Sequence, residues 1–374
     1  MITVRADYGG GPEHLYRLIG ALPAGIEVFV ACPHDRPYWE RYAHQVGAER
    51  MIEIPHRCLA LRRLPVLSRF VRENRLDLIH SHGKGAGVYG RLLHLLTRRP
   101  CVHTSHGMHV GEYPGWQRSL YLMLERCLSA VTCKLIAVSR SEGELMRSLR
   151  LCRPGKLTVI QNGVVIPAQA AANGRNNGRF TVLSMTRFNY QKNAELLIPI
   201  IECLKESGRL QDFQFILLGT GPGEAQPKAD VERRGLGAHV TFYGAVPNPG
   251  DFLRTASCYL STSRWEGMPL AVLEAMANGI PVVASDVVGN HDVVTHGVTG
   301  FLYDLSCPDA AAGYLVALAD RCDLWQRLSE AARDQAVARF TVERMASETA
   351  QIYWAVCGIR APGKSALEAR ESDG

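Results

Sequence analysis

Short apolar runs alternate with amphipathic helical segments along almost the whole chain, and this alternation is the strongest constraint on its fold. A helix between two strands makes a crossover that leaves the strands parallel. The strand-like runs are 2–4, 27–31, 76–80, 100–104, 134–138 and 157–160 in the first half, and 180–185, 213–218, 240–243, 258–262 and 280–284 in the second. The pattern predicts an α/β protein of two Rossmann-like halves, each with a parallel sheet.

The length of 374 residues suits two domains better than one. The predicted organisation is an N-terminal domain over 1–163, a C-terminal domain over 164–341, a helix over 342–357 and a tail over 358–374. The tail has the composition of a disordered segment. The small and polar residues of 168–178 predict a surface loop near the domain boundary.

Charge is distributed unevenly between the two halves. Residues 1–166 carry 23 Lys and Arg against 13 Asp and Glu, a net charge of +10, whereas the remainder carries −4. A basic half suggests an anionic partner, and because no DNA- or RNA-binding module is recognisable, anionic lipid is the better candidate than nucleic acid. The chain shows no apolar run of membrane-spanning length and no signal peptide, and its eleven scattered cysteines suit a reducing compartment. We expect a cytoplasmic protein, soluble or peripheral.

The segment 263–279 carries the most specific chemical signal. An apolar strand precedes it, Pro269 suits a first helical position, and Gly279 suits a left-handed helix end. In such a strand-loop-helix unit, the backbone N–H groups of Gly267, Met268 and Leu270 can point at a phosphate.

Two carboxylates flank this predicted anion site, Glu266 in the loop and Glu274 about one turn into the helix. A glutamate does not bind phosphate favourably, so hydroxyl groups are the plausible partners, and a ribose and a hexose would supply them. The combination indicates a nucleotide sugar. The simpler interpretation is a surface helix with solvated glutamates.

With the strand 281–286 and the Gly-x-x-Gly-Phe-Leu turn at 297–302, the segment resembles the donor-site signature of retaining GT-B glycosyltransferases, family 4. The resemblance covers nearly the whole chain and is strongest over 180–305. It implies two Rossmann-like domains facing across a cleft, with the final helix crossing back onto the N-terminal domain. It also implies that the N-terminal domain binds the acceptor and the C-terminal domain the nucleotide-sugar donor.

Arg187 and Lys192, after the first strand of the second half, match the family pair that grips the donor diphosphate. Two cations can neutralise the leaving diphosphate without a metal, and the chain contains no Asp-x-Asp pair, so we expect neither a metal nor a cofactor. Gly221, in the Gly-Thr-Gly loop after another strand, either lets the backbone approach the nucleotide or makes a plain turn. Near Val246 the family places backbone contacts to the base.

In the first half, Gly10 and Gly11 lie in a glycine-rich loop after the first strand, with a helix predicted to begin near Pro12. The resemblance implies that this loop contacts the donor phosphate or the acceptor. His106, in Ser-His-Gly, matches the family histidine that contacts the transferred sugar. A zinc site formed by His103, His106 and His109 is a less favoured alternative, because their spacing gives no shared helical face. The strand-end loop 80–85 is a weaker candidate for the acceptor side.

The basic segment 56–75 interleaves Arg57, Arg62, Arg63, Arg69, Arg72 and Arg75 with leucine, valine and phenylalanine. A membrane-surface helix and a core-packed helix with a solvated arginine face explain this pattern about equally well. The uneven charge favours the membrane.

The sequence therefore predicts a metal-independent retaining hexosyltransferase. It would move a hexose or N-acetylhexosamine from a nucleotide-diphosphate sugar, with UDP favoured, to a lipid-linked or surface-polysaccharide acceptor at the inner face of an anionic cytoplasmic membrane. A non-hydrolysing nucleotide-sugar epimerase and an inactive nucleotide-sugar-binding subunit are the alternatives. The first would need acid and base residues that the sequence does not assemble, and the intact Arg187, Lys192, Glu266 and Glu274 argue against the second.

Overall fold

The computed structural model of the chain describes residues 1–108, 114–171, 175–176 and 178–361. It separates into two compact units. The first combines Met1–Gly163 with Val342–Gly374, and the second is Val164–Thr341.

The fourteen strands of the described residues are short. They are β1 (Ile2–Thr3), β2 (Val30–Cys32), β3 (Met51–Glu53), β4 (Ile79–His82), β5 (Cys101–Thr104), β6 (Lys134–Ala137), β7 (Leu157–Val159), β8 (Arg175–Asn176), β9 (Arg179–Met185), β10 (Phe213–Leu218), β11 (Val240–Gly244), β12 (Cys258–Ser261), β13 (Val282–Ser285) and β14 (Gly300–Tyr303).

Thirteen α-helices surround the strands in the same part of the chain. They are α1 (Gly10–Ala21), α2 (Tyr38–Val46), α3 (Leu64–Glu73), α4 (Lys84–Thr97), α5 (Gly115–Ala130), α6 (Arg140–Ser148), α7 (Leu197–Glu206), α8 (Ala225–Arg233), α9 (Gly250–Thr255), α10 (Leu270–Ala277), α11 (Pro308–Asp320), α12 (Cys322–Arg339) and α13 (Val342–Cys357).

The sheet of the first unit has the strand order β3-β2-β1-β4-β5-β6-β7, with every pair parallel. From β1 the chain adds β2 and then β3 on one side of the sheet. It then returns to place β4 on the other side of β1 and continues outward to β7, so the order reverses between β1 and β4. A crevice opens at such a switch point, outside the carboxyl ends of the strands, and ligands of α/β proteins bind there.

The sheet of the second unit repeats this plan with the order β11-β10-β9-β12-β13-β14. Its switch point lies between β9 and β12. The short β8 pairs with β9 in the antiparallel direction. Two parallel sheets with helical crossovers confirm the predicted fold class.

Helix α13 packs against the first unit, although the second unit precedes it in the chain. Its Val342, Met345 and Ala346 are buried in one cluster with Leu18 of α1 and Ile136 of β6. Burial of these apolar side chains therefore holds α13 against the first unit.

The structure corrects several expected boundaries. Helix α1 begins at Gly10 instead of Pro12, and Pro269 is the N-cap of α10 instead of its first residue. The segment 56–75 is not one helix, because only Leu64–Glu73 is α-helical.

Other differences concern strands. Strand β4 continues to His82, two residues beyond its predicted end, and β3 and β14 were not predicted. Part of the expected loop 168–178 forms β8, and its remaining uncertain positions, like the expected disordered tail from 362 onward, lie outside the described residues.

Gly219 and Gly221 allow two loops of the second unit to approach closely. A Cβ on Gly219 would lie 1.8 Å from the carbonyl oxygen of Thr186, and one on Gly221 would lie 2.4 Å from that of Phe188. Gly219 also has a φ of +120°, which other residues rarely adopt. Close packing between the two loops therefore accounts for glycine at both positions, and no contact with a ligand is needed to explain them.

We predict that Gly219→Ala destabilises the protein by about 1–3 kcal/mol, because the new methyl group clashes with backbone as well as straining φ. Urea unfolding followed by circular dichroism measures the change. Gly235→Ala is the matched control, since Gly235 also has a positive φ but has open space around its Cα. Equal destabilisation by the two substitutions would contradict the close-approach explanation.

Candidate functional site

Lys192 and Glu266 meet at the switch point of the second sheet. Lys192 follows β9 and Glu266 follows β12, and the Lys192 Nζ atom lies 2.5 Å from Glu266 Oε1. The carboxylate is buried, whereas the lysine side chain keeps 24% of its exposure. An ammonium group has three donors, so Lys192 can hold this carboxylate and still bind a further anion.

Ser263, in the same loop, fixes the position of Glu266 and is itself held by Ser285 of β13. Ser263 Oγ donates a hydrogen bond to Glu266 Oε1 at 2.6 Å, and Ser285 Oγ donates to the Ser263 carbonyl oxygen at 2.6 Å. Gly289, with a φ of +90°, lies so close that a Cβ there would be 2.6 Å from the Glu266 Cβ. The glutamate is therefore held from several sides.

The loops after β9 and β12 are joined by several hydrogen bonds. Thr262 Oγ1 donates to the Lys192 carbonyl oxygen at 3.0 Å, and the Arg264 backbone N–H donates to the Gln191 carbonyl oxygen at 2.7 Å. The Arg264 guanidinium also stacks on the Tyr190 ring, 4.1 Å from its centroid. These contacts make the Lys192–Glu266 pair part of one connected surface.

Helix α10 begins at Leu270, four residues after Glu266. Its N-cap is Pro269, whose side chain makes no capping hydrogen bond. The first N–H groups of a helix have no intrahelical acceptor, so those at and after Leu270 suit an anion, as predicted for Gly267, Met268 and Leu270.

Glu274 lies on the second turn of α10 and is half-buried. Burial, followed by the charges of Glu266 and Glu274, raises the pKa of Tyr259 on β12. The arrangement offers cationic and N–H donors for an anion beside two carboxylates that can accept from hydroxyl groups.

The other predicted donor residues lie in loops at the carboxyl ends of neighbouring strands. Arg187 is half-buried after β9, Gly221 follows β10, and Val246 follows β11. The structure joins Lys192 to Glu266 directly, and places Gly221 against Phe188 of the loop that contains Arg187.

At the switch point of the first sheet, three histidines from separate segments come together. His14 lies on α1, His82 ends β4, and His106 follows β5. Their ring centroids are 4.5 Å apart for His14 and His106 and 5.3 Å apart for His82 and His106. His82 Nδ1 lies 3.1 Å from His106 Nε2.

Burial keeps these histidines in their neutral form. It lowers the pKa of His14 to about 4, and it lowers the pKa values of His82 and His106 well below their ordinary range. His106 also has a φ of +59°, an uncommon conformation for a non-glycine residue that marks a constrained position.

Glu142 anchors the loop that carries His106, and the sequence interpretation missed it. Its Oε1 atom accepts from Ser105 Oγ at 2.9 Å and from the Gly107 N–H at 2.7 Å, and its Oε2 atom accepts from the Val138 N–H at 2.7 Å. Burial raises the pKa of Glu142, against the opposing effect of these bonds. The Ser139-x-x-Glu142 capping pattern was the available signal.

Gly10 and Gly11 are the first two residues of α1, on the element that carries His14. The space where a Cβ on Gly11 would point is open within 4 Å. Of the histidines in the zinc alternative from the sequence, His103 Nδ1 bonds with Ser81 Oγ, and His109 lies outside the described residues.

Helix α5 exposes apolar side chains on one face. Trp116, Leu120, Met123 and Leu124 are exposed by 69%, 53%, 55% and 47%, and their spacing places them on one side of the helix. The opposite, buried face carries Glu125, which pairs with the buried Arg91 at 3.3 Å. The outward face of the helix is thus apolar, whereas its buried face combines Leu122 with the charged Glu125. The leucines of the helix lie on both faces, so the sequence gave no indication of which side was buried.

Helix α3 has the more usual arrangement, with Leu67 and Val71 in the core. The exposed residues of the basic segment include Arg62, Arg69 and Arg72, while Arg63 is half-buried. The core-packed alternative therefore describes α3 itself, and its arginines form a solvated face. Within the described part of the chain, every helix falls short of the length and apolarity needed to cross a membrane.

Comparison with known proteins identifies the relatives of both units. The family described as Glycosyltransferase Family 4 matches residues 8–166, and the one described as Glycosyl transferases group 1 matches residues 165–335. The chain is 25% identical over 303 residues to UDP-Gal:alpha-D-GlcNAc-diphosphoundecaprenol alpha-1,3-galactosyltransferase of Escherichia coli, covering 77% of each protein. It is 29% identical to D-inositol 3-phosphate glycosyltransferase of Kribbella flavida, covering 76% of this chain and 73% of that protein.

Among solved structures, Anabaena Alr3699/HepE in complex with UDP superposes with a TM-score of 0.79 at 19% identity, covering 95% of this chain and 98% of the other. This likeness concerns the fold, which is GT-B. The two family matches, which together span residues 8–335, place the chain among the group 1 glycosyltransferases, that is, in glycosyltransferase family 4.

Proposed function

We propose that the protein transfers a hexose or N-acetylhexosamine, with retention, from a nucleotide-diphosphate sugar to a lipid-linked or surface-polysaccharide acceptor. UDP is the favoured nucleotide. The observation that carries the proposal is the Lys192–Glu266 pair, whose glutamate lies in the loop that leads into the N-terminus of α10. It combines a cation and free N–H groups for a diphosphate with a carboxylate for sugar hydroxyls.

In the proposed reaction, the bond from the anomeric carbon to the diphosphate oxygen breaks and a bond to the acceptor hydroxyl oxygen forms on the same face of the sugar. Arg187, Lys192 and the N-terminus of α10 stabilise the negative charge that develops on the diphosphate. The acceptor hydroxyl proton passes to the departing diphosphate. His106 contacts the transferred sugar, and positioning supplies the rest of the acceleration.

The names of the relatives support the donor and acceptor classes. The Escherichia coli relative is named for UDP-galactose and a diphosphoundecaprenol-linked acceptor, which is both a UDP-sugar and a lipid-linked saccharide. The Kribbella flavida relative is named for D-inositol 3-phosphate. We favour the lipid-linked class because the first unit is basic and exposes the apolar face of α5.

We predict that Glu274→Ala weakens UDP binding about 10- to 100-fold, because a charge-assisted hydrogen bond to the ribose contributes about 1.5–3 kcal/mol. Glu266→Ala should spare UDP binding, since Lys192 stays available, but should lower transfer. Isothermal titration with UDP and a transfer assay measure the two effects. Glu330→Ala, on the exposed surface of α12, is the control. Equal loss of UDP affinity in the two site variants would show that the assigned roles are wrong.

Arg187→Ala and Lys192→Ala should each lower turnover by about two orders of magnitude, if each contact matters as much as a typical oxyanion donor. Lys192→Ala also leaves the buried Glu266 carboxylate without its cation, so Lys192→Arg separates loss of charge from loss of fit. Release of free nucleoside diphosphate from UDP-sugars measures turnover. Turnover that needs added magnesium and stops with chelator would contradict metal-free stabilisation of the diphosphate.

We also propose that the first unit docks on the inner face of an anionic membrane. Arg62, Arg63, Arg69 and Arg72 supply electrostatic attraction of about 1 kcal/mol for each basic residue near the surface. The outward face of α5 supplies apolar contact at the lipid interface. Placement in the cytoplasm follows from this proposal and from the basic charge of the unit.

Replacing the four arginines by Gln should abolish most of the binding to anionic liposomes and its decrease with salt. Replacing Trp116, Leu120, Met123 and Leu124 by Ser should lower binding at every salt concentration. The matched control replaces Arg233, Arg234, Arg254 and Arg321 of the second unit by Gln, which changes net charge equally. Cosedimentation with anionic and neutral liposomes measures the binding of each variant. Wild-type protein that stays in the supernatant with all liposomes would favour a soluble acceptor instead.

A further inference from the structure

Tyr190 exposes an aromatic ring at the carboxyl edge of the second sheet. The residue is 66% exposed, and the Arg264 guanidinium stacks on its ring with Cζ 4.1 Å from the centroid. The Trp265 ring lies beside it, with centroids 5.8 Å apart. Tyr, Arg and Trp are the residue types that most often dominate binding surfaces. The side chains of Tyr190, Arg264 and Trp265 are called the Tyr190 platform below.

Hydrogen bonds hold the platform in place without a ligand. Arg264 Nη1 donates to the Tyr190 carbonyl oxygen at 2.5 Å, and Gln191 Nε2 donates to the Trp265 carbonyl oxygen at 3.1 Å. The Arg264 backbone N–H also donates to the Gln191 carbonyl oxygen at 2.7 Å. A surface that is ordered in advance loses little conformational entropy when a ligand binds, so more of the contact energy is available for affinity.

The charge of Arg264 is not neutralised by the part of the chain that the structure describes. Its guanidinium contacts the ring and the carbonyl oxygen of Tyr190, and it forms no ion pair with a carboxylate of the described residues. In contrast, Arg209 and Arg254 of the same unit each pair with an aspartate. A guanidinium binds phosphate oxygens through parallel N–H bonds while it stacks on an aromatic face. The platform therefore combines apolar rings with a cation suited to phosphate.

The position of the platform relates it to the sugar end of the donor. Trp265 immediately precedes Glu266, and Tyr190 lies two residues before Lys192. The proposed function assigns Glu266 to the transferred sugar and Glu274, further along on α10, to the ribose. The platform is therefore next to the end of the donor at which the acceptor hydroxyl attacks, and a nucleobase is a less suitable occupant.

We propose that the Tyr190 platform binds the acceptor, and that the acceptor sugar carries a phosphate group. The C–H face of the sugar ring packs on Tyr190 and Trp265, which offer exposed aromatic surface. The phosphate oxygens accept hydrogen bonds from Arg264. This inference rests on the proposed function and deepens it, because it selects acceptors in which the sugar that receives the new bond is joined to a phosphate.

The test uses the full-length protein with UDP present and a panel of small acceptor fragments. The panel contains the 1-phosphates and the methyl glycosides of glucose, galactose, N-acetylglucosamine and N-acetylgalactosamine. Saturation-transfer NMR measures their affinities and shows which protons contact the protein. We expect at least one sugar 1-phosphate to bind through its ring C–H protons, about tenfold more tightly than its methyl glycoside.

The variants separate ring stacking from charge. Tyr190→Ala should weaken binding of the sugar 1-phosphate at least about tenfold, whereas Tyr190→Phe, which keeps the ring, should bind like the wild type. Trp265→Leu is a second variant with the same expected direction. Arg264→Gln should remove the preference for the 1-phosphate over the methyl glycoside. Arg321→Gln is the matched charge control, because Arg321 is exposed in the same unit and pairs with Asp323.

Titration with UDP distinguishes failure of the inference from failure of the proposed function. A wild-type protein that does not bind UDP contradicts the donor site itself. A wild-type protein that binds UDP but no sugar 1-phosphate of the panel overturns the inference alone. Equal affinity for 1-phosphates and methyl glycosides also overturns it. Loss of UDP affinity in Tyr190→Ala, with sugar 1-phosphate binding retained, would assign the ring to the nucleotide instead.

Discussion

A parallel sheet covered by helices on both faces leaves only its strand ends free for polar chemistry. Both units obey this constraint. The strands are buried along most of their length, and charged or titratable side chains gather where the chain turns in opposite directions, between β9 and β12 in one sheet and between β1 and β4 in the other. The Lys192–Glu266 pair and the histidine group occupy equivalent places in two sheets of different composition.

The two sites differ in the chemistry that burial permits. In the second unit, a cation and an anion lie together, so each charge offsets the desolvation of the other. In the first unit, histidines surround one another without a carboxylate among the three, and burial keeps them neutral. The Glu142 carboxylate bonds to the loop that carries His106, but its oxygens are used on Ser105 and Gly107. It positions the histidine loop and stays out of the group.

Much of this arrangement could be predicted from sequence. The run 213–218 coincides with β10, because five of its six residues are large and apolar. Lys192 and Glu266 could be expected at the same edge of one sheet, because each follows a predicted strand; their roles at a donor site come from the resemblance and stay a prediction. Strand β3 was missed because three half-exposed residues give no periodic signal. Gly300 suggested a turn, but β14 begins there. Glycine is needed at this position because a Cβ would clash with the carbonyl oxygen of Val282 in the neighbouring strand. His14 and His82 were not joined to His106 because only the strand order brings those distant segments together.

The buried pair of Arg91 and Glu125 has a consequence for helix α5. Rolling the helix about its axis would bury the side chains of Trp116 and its apolar neighbours, but it would carry Glu125 into water. Arg91, held also by Thr132 Oγ1 at 2.9 Å, would then remain in the core as an uncompensated charge. Breaking a buried pair in this way costs about 3–5 kcal/mol. The pair thus holds the helix in the orientation that exposes its apolar face, although burial of the apolar side chains alone would favour a different orientation.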